Sequence, residues 1–313
     1  MRYPYDRSIS QREPNLHAFP SALSLKFGPL SVSVSSNSSK TLDCIRQLYA
    51  DYPENESDFF DFHVSIDSAQ GIRRWYKPQI NFSLDGFKPF KPLPGDQALP
   101  LFEWGMNWCV SNHCHDYLVV HAAVVEKQGR VLMLSAPPGA GKSTLCAGLV
   151  CRGWRLLSDE LALVSMSDDG LVQVTPLGRP VCLKNQSLGV IRSFSQDSRF
   201  GPVCYDTVKG DVAHMLAPKE SIDRSQELAQ LSWVVFPRYA PQAKSVLSPQ
   251  GKAQSLLNLA KQSFNLNVLG EMGYRLLNQS ITQSDCYDFQ YSSLDDAVKL
   301  FDSLLHVPDT GKN

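Results

Sequence analysis

The stretch from Arg130 to Arg152 constrains this chain more than any other. An apolar run, Arg130 to Leu134, leads into Ala136-Pro137-Pro138-Gly139-Ala140-Gly141-Lys142-Ser143-Thr144, and a mostly apolar segment then continues to Arg152, just before Gly153. The first run reads as a strand, the last as a helix stopped by Gly153, and the residues between as a glycine-rich turn. Gly139 and Gly141 let the backbone curl so that successive N–H groups point inward, and the helix that follows adds its positive end. That is a cradle for phosphate oxygens.

The turn fits the permissive form of the phosphate-loop pattern: Ala or Gly, four residues, then Gly-Lys-Ser/Thr, with Ala136 in the first position. Lys142 is expected to reach the β- and γ-phosphates of ATP and the Ser143 hydroxyl to bind Mg²⁺, with Pro138, Gly139, Ala140, Gly141 and Thr144 completing the loop. A second element, Ser158-Asp159-Glu160, ends the apolar segment Trp154 to Leu157. A strand there would deliver two adjacent acids to the nucleotide, one able to accept the proton of an attacking hydroxyl or to hold the metal.

Composition narrows the partners. Lys and Arg total 30 against 31 Asp and Glu, a formal net charge of −1, so no global basic field favours nucleic acid or an anionic membrane. The chain start lacks a basic segment followed by an apolar run, and no apolar stretch approaches bilayer length, so a cytoplasmic protein is expected. The eight cysteines are scattered in apolar contexts, which suits buried thiols better than a disulfide framework. The 313 residues, 43% of them hydrophobic, suffice for one large domain or two ordinary ones.

Two regions are expected. Residues 1–95 read as a smaller α+β domain: a loose arm over the first ~20 residues, a hairpin around Gly28-Pro29, a helix from Lys40 to Tyr49, and strands near Phe62–Ile66 and Gln79–Ser83. A Pro-rich stretch, Phe87 to Gly95, closes it. Residues 96–313 read as the α/β phosphate-loop domain, opening with an aromatic-rich helix from about Gln97 to Asn112. The run Tyr117 to Val125 reads as one strand, paired through Lys127-Gln128-Gly129 with the strand before the loop. Later strands fall near Leu161–Val164, Leu171–Val174, Trp233–Phe236 and Tyr287–Tyr291, with helices near Ala253–Gln262, Val268–Asn278 and Leu294–Leu305. Every nucleotide element lies beyond Lys91, so the first region is expected to be removable with ATP binding kept.

In register, these residues resemble the HPr kinase/phosphorylase family, bacterial serine kinases built on a phosphate loop. His121 stands fifteen residues before Ala136, Lys142 lies in the loop, and Asp159 lies seventeen residues after Lys142, where the family has an Asp-Asp pair. The phrases Gly153 to Glu160, Arg179 to Asn185 and Asp206 to Gly210 look like the subgroup called HPr kinase-related kinase A, which is associated with a PqqD-like peptide-binding protein and a nucleotidyltransferase. The resemblance implies an HPr-kinase-like fold, with Asp159 as the base, Glu160 as an Mg²⁺-side acid, and His121 beside the γ-phosphate. It makes Arg179, Lys184 and Lys209 candidates for neutralising the transferring phosphoryl group. This loop ends Lys142-Ser143-Thr144 where the family usually ends Lys-Ser-Glu, and the family's Glu-Ile-Arg-Gly-Leu-Gly phrase is missing. A catalytic core is therefore expected without HPr itself as substrate.

The expected function is transfer of the γ-phosphoryl group of ATP to a hydroxyl, that of a serine in a peptide or small protein. A small-molecule hydroxyl kinase and a non-catalytic ATP-sensing module are the open alternatives, and a homo-oligomer is left open. The phrase Asn112-His113-Cys114-His115-Asp116 is not expected to hold a metal, since adjacent residues on an extended chain point to opposite sides.

Overall fold

The computed structural model describes residues 22–306. The arm expected over the first ~20 residues lies outside them. Three sheets and nine α-helices make up a mixed α/β architecture among the described residues. None of these helices is long and apolar enough to cross a membrane.

The first sheet has five strands in chain order: Ala22–Phe27, Leu30–Ser35, Phe62–Ser68, Gln79–Leu84 and Leu93–Pro94. Gly28, at φ 56°, turns the first hairpin. The parallel step from Leu30–Ser35 to Phe62–Ser68 is bridged by the helix Ser39–Leu48, whose start is capped by the Ser38 hydroxyl accepting from Thr41 N–H. Leu42, Ile45 and Leu48 share one face of that helix and are buried.

The helix Ala98–His113, expected in the second region, packs on this first sheet. Leu99, Phe102, Met106 and Val110 share one core with Phe27, Val34, Ile66 and Phe82, and that core extends to Leu161, Leu163 and Leu177. Removing the chain up to Lys91 would uncover this apolar face. The first sheet and this helix thus share one core across the expected boundary.

The second, nine-stranded sheet positions the site. Its strand Arg130–Ser135 lies between the parallel strand Ala229–Tyr239 and the antiparallel strand Ala122–Lys127, which pairs on its far side with antiparallel Arg155–Ser158. Side chains alternate between two cores, as a pleated strand requires. Leu132 and Leu134 face the helices Lys142–Val150 and Leu294–Leu304, whereas Val131 and Met133 face the core shared with the helix Glu271–Gln283. The expected strand Tyr117 to Val125 is two strands, Leu118–Val120 and Ala122–Lys127, broken at His121, whose N–H donates to Gln262 O at 2.7 Å. The expected helix Val268–Asn278 is also divided, because Gly270 at φ 57° separates Leu266–Leu269 from Glu271–Gln283.

A third sheet of three strands, in the order Val181–Lys184, Gly210–Met215, Cys204–Thr207, and the helix Gln186–Phe194 lie beside the loop helix.

Gly105 marks the closest approach of the helix Ala98–His113 to the first sheet: a Cβ there would fall 2.0 Å from the Phe82 ring. Glycine to alanine inside a helix normally gains about 1 kcal/mol. Here the overlap falls on a ring that is 1% exposed and cannot move aside, and overpacking costs about 1–3 kcal/mol. Gly105→Ala is expected to lower the urea midpoint of unfolding; a raised midpoint would mean that the helix stands off Phe82.

Candidate functional site

Strand direction brings three separate chain positions to one edge of the sheet. Arg130–Ser135 and Arg155–Ser158 run the same way, because each is antiparallel to Ala122–Lys127, which lies between them. The phosphate-loop residues leave the first at Ser135, Asp159 and Glu160 leave the second at Ser158, and His121 enters the middle strand at the same edge, where Ala122 pairs with Ser135.

The loop is held from the sheet side. Ala140 C=O accepts from Tyr239 N–H at 2.9 Å, and Gly141 C=O accepts from the Tyr291 hydroxyl at 2.8 Å. Tyr239 and Tyr291 end two parallel strands paired with each other. Gly141 C=O also accepts from Leu145 N–H at 3.0 Å, and the N–H groups that precede Leu145 in the helix Lys142–Val150 have no intrahelical acceptors, as at any helix start. Gly139 and Gly141 take φ of 86° and 92°. Neither tyrosine carries a sequence signal for this role; both are read from strand ends only once the pairing is known.

His121, Lys142, Glu160, Lys184 and Lys209 line one cavity of about 500 Å³. Pro138, Gly139, Gly141, Ser143 and Thr144 line it too, while Ala140 contributes its carbonyl to the anchorage beneath. Two residues grouped with these in the sequence stand back from that lining. Asp159 and Arg179 line a separate, water-sized hollow of about 20 Å³ next to it, whose wall also includes Glu160.

The charges are tightly coupled. Lys142 is 7% exposed, and its ammonium has no hydrogen-bond partner. Burial pushes its pKa down to about 8, with Asp159 and Glu160 opposing. Burial pushes Asp159 up to about 6, and Glu160 adds to the rise, while Lys142, the Ser143 hydroxyl and Cys182 N–H counter it. One Asp159 oxygen accepts from Cys182 N–H at 3.0 Å; the other is buried without a partner. Burial alone would raise Glu160, but Lys184, Lys209 and Lys142 together hold it below its ordinary value. Burial, and then Lys142, lower His121, whose Nδ1 lies 3.3 Å from Gln262 Oε1.

Arg179 is fully engaged elsewhere. Its guanidinium pairs with Glu103 Oε2 at 2.5 Å and donates to Glu103 O, Asn107 Oδ1 and the Tyr49 hydroxyl. Those partners come from the two helices packed on the first sheet, and no sequence pattern singled them out.

Among the described residues no cluster of three or more His, Cys, Asp and Glu could hold a metal by itself. Mg²⁺ needs no such cage, since it binds through one or two carboxylates together with substrate phosphates. The Ser143 hydroxyl and Glu160 carboxylate on the cavity wall, with the unpartnered Asp159 oxygen behind them, offer the oxygen donors it prefers.

A family model described as SynChlorMet cassette protein ScmC matches residues 104–190, from the helix Ala98–His113 through the loop and the acid pair into the helix Gln186–Phe194. No curated protein matches the chain. A solved structure titled "Structure of the Hpr(Ser) kinase/phosphatase from Coxiella burnetii" is similar at 10% identity and a TM-score of 0.30, over 60% of this chain and 93% of that one. A likeness that slight carries no argument about the chemistry.

The two loop glycines should respond differently to a methyl group. At Gly139 a Cβ meets open space, so Gly139→Ala carries only the backbone cost of positive φ, about 1–2 kcal/mol. At Gly141 the Cβ would fall 2.5 Å from the Tyr291 hydroxyl oxygen and 2.9 Å from Tyr239 Cβ, so Gly141→Ala also displaces the loop's anchor. Thermal melts are expected to place Gly141→Ala clearly below Gly139→Ala; equal melting temperatures would contradict the tyrosine anchorage.

Proposed function

We propose that this chain is an ATP- and Mg²⁺-dependent kinase that transfers the γ-phosphoryl group to a hydroxyl, that of a serine in a peptide or small protein. The observation that carries the reading is the Lys142 ammonium. It is buried without a partner at the start of a helix, on a cavity also lined by Lys184, Lys209 and His121. A buried unpaired charge is costly unless a ligand compensates it, and the N–H groups of a helix start favour the same anionic ligand. A triphosphate fits both demands.

In this reading Lys142 and the loop N–H groups bind the β- and γ-phosphates, and Lys184 and Lys209 offset charge on the oxygens of the transferring group. His121, kept neutral by burial and by Lys142, stands beside the γ-phosphate. Asp159 takes the proton of the acceptor hydroxyl, a role supported by its raised pKa of about 6, close to working pH. Glu160, held ionised by the surrounding lysines, suits the metal side together with Ser143. When bound, Mg²⁺ supplies charge neutralisation at the β- and γ-oxygens. Arg179 is left out of the transfer step because its guanidinium is committed to Glu103 and Asn107.

The serine acceptor, the assignment to an HPr-kinase-like fold and the HPr kinase-related kinase A subgroup, and a PqqD-like peptide-binding partner rest on the sequence resemblance. The residues 22–94 that form the first sheet are proposed to help hold the acceptor.

Labelled ATP, candidate partners encoded alongside the chain, and mass-spectrometric location of the phosphate test the reading. Lys142→Ala is expected to abolish transfer and weaken ATP binding; unchanged turnover would remove the proposal. Asp159→Asn is expected to bind ATP within a few-fold while transfer falls by roughly 10²–10⁴, the worth of a positioned base. Glu160→Gln should instead weaken Mg²⁺ dependence and transfer together. If Asp159→Asn loses binding and Glu160→Gln loses only transfer, the two roles are exchanged. Normal transfer in both would exclude this mechanism.

A further inference from the structure

The helix Ala98–His113 belongs by packing to the first sheet, yet one of its side chains reaches the acid pair. Asn107 Nδ2 donates to Glu160 Oε2 at 3.0 Å, while Asn107 Oδ1 accepts from Arg179 Nη1 at 2.7 Å. Since a guanidinium can only donate, this network also fixes which way the amide points. Asn107 is thus a spacer between a buried cation and a carboxylate that would otherwise attract each other directly.

We propose that Asn107 is a positioning residue that holds one Glu160 oxygen at the hollow and so fixes the direction in which the carboxylate faces the loop cavity, where it would hold Mg²⁺. The proposal rests on the reading of Glu160 as the metal-side acid.

Three features support it. Glu160 is held on both sides: Asn107 binds one oxygen, and Lys184 Nζ lies 3.8 Å from the other. Arg179 is itself immobilised by Glu103 and Tyr49, so Asn107 stands on a rigid base rather than on a free side chain. The water-sized hollow of about 20 Å³ beside Glu160 is lined by Glu160, Asn107 and Arg179 together. Without the amide, Glu160 Oε2 loses its partner at the hollow, and the carboxylate is left to rotate under the pull of Lys184, Lys209 and Lys142 on the cavity side. Partners that orient a metal-ligating carboxylate typically cost 10–100-fold in metal affinity when lost.

Nucleotide binding by calorimetry, with and without Mg²⁺, tests this in the full chain. Asn107→Leu keeps the volume and loses both hydrogen bonds; Asn107→Ser, too short to span both partners, carries the same test if the leucine is not accommodated. In a variant that still melts cooperatively, Mg²⁺-free ATP affinity is expected to stay within about twofold, because the loop is untouched. The gain in affinity on adding Mg²⁺ should fall by about 10-fold or more. A crystal structure of the variant should show the Glu160 carboxylate rotated from the orientation it has here. Glu160→Gln distinguishes the positioning role of Asn107 from the metal-side role of Glu160. If it lowers the Mg²⁺ gain and the Asn107 variants do not, the positioning role is overturned. If Glu160→Gln leaves the gain intact, the metal-side reading of Glu160 fails, and this proposal falls with it.

Discussion

Everything at the candidate site depends on the reversal of one strand. Ala122–Lys127 runs against both of its neighbours, so Arg130–Ser135 and Arg155–Ser158 must point the same way and release their chain ends at one edge. The middle strand begins where the outer two finish, which sets His121 between the phosphate loop and the acid pair. Three separate segments meet through the backbone hydrogen bonding of the strands that carry them. The side chains then need only short reaches to share a cavity.

Two buried cations stand near each other and are treated in opposite ways. Arg179 is saturated by Glu103, Asn107 and Tyr49, and loss of such a partner leaves an uncompensated charge at about 3–5 kcal/mol. That network fastens the first sheet and its helices to the acid pair. Lys142, by contrast, keeps its ammonium without a partner under comparable burial. Proteins tolerate such an imbalance where a ligand supplies the missing charge. The contrast separates a cation whose charge is met within the fold from one whose charge is not.

Local pattern made much of this legible. The apolar run, the paired glycines and the Lys-Ser-Thr ending placed the strand, loop and helix within a residue or two, because each is a short-range property of the chain. The break at His121 was not legible: the residues on either side, 118–120 and 122–125, are all apolar, and the division comes from a distant partner, the Gln262 carbonyl. Nor could pattern separate Arg179 from Lys184, since whether a basic residue faces a cavity or a buried glutamate is decided by tertiary packing. The small sheet containing Val181–Lys184 was missed for the same reason, its strands being short and paired only with one another. The helix Ala98–His113 showed its apolar character but not which sheet it would cover.

Whether the loop cavity takes the terminal phosphates of a nucleotide is read from an affinity series of ATP, ADP and AMP measured by calorimetry. With Lys142 and the helix start cradling the β-phosphate, ATP and ADP should bind and AMP should bind at least roughly 100-fold more weakly, the loss of a charge-assisted contact set worth about 3 kcal/mol. Equal affinity for all three, or no binding of ATP at all, would contradict that placement of the phosphates.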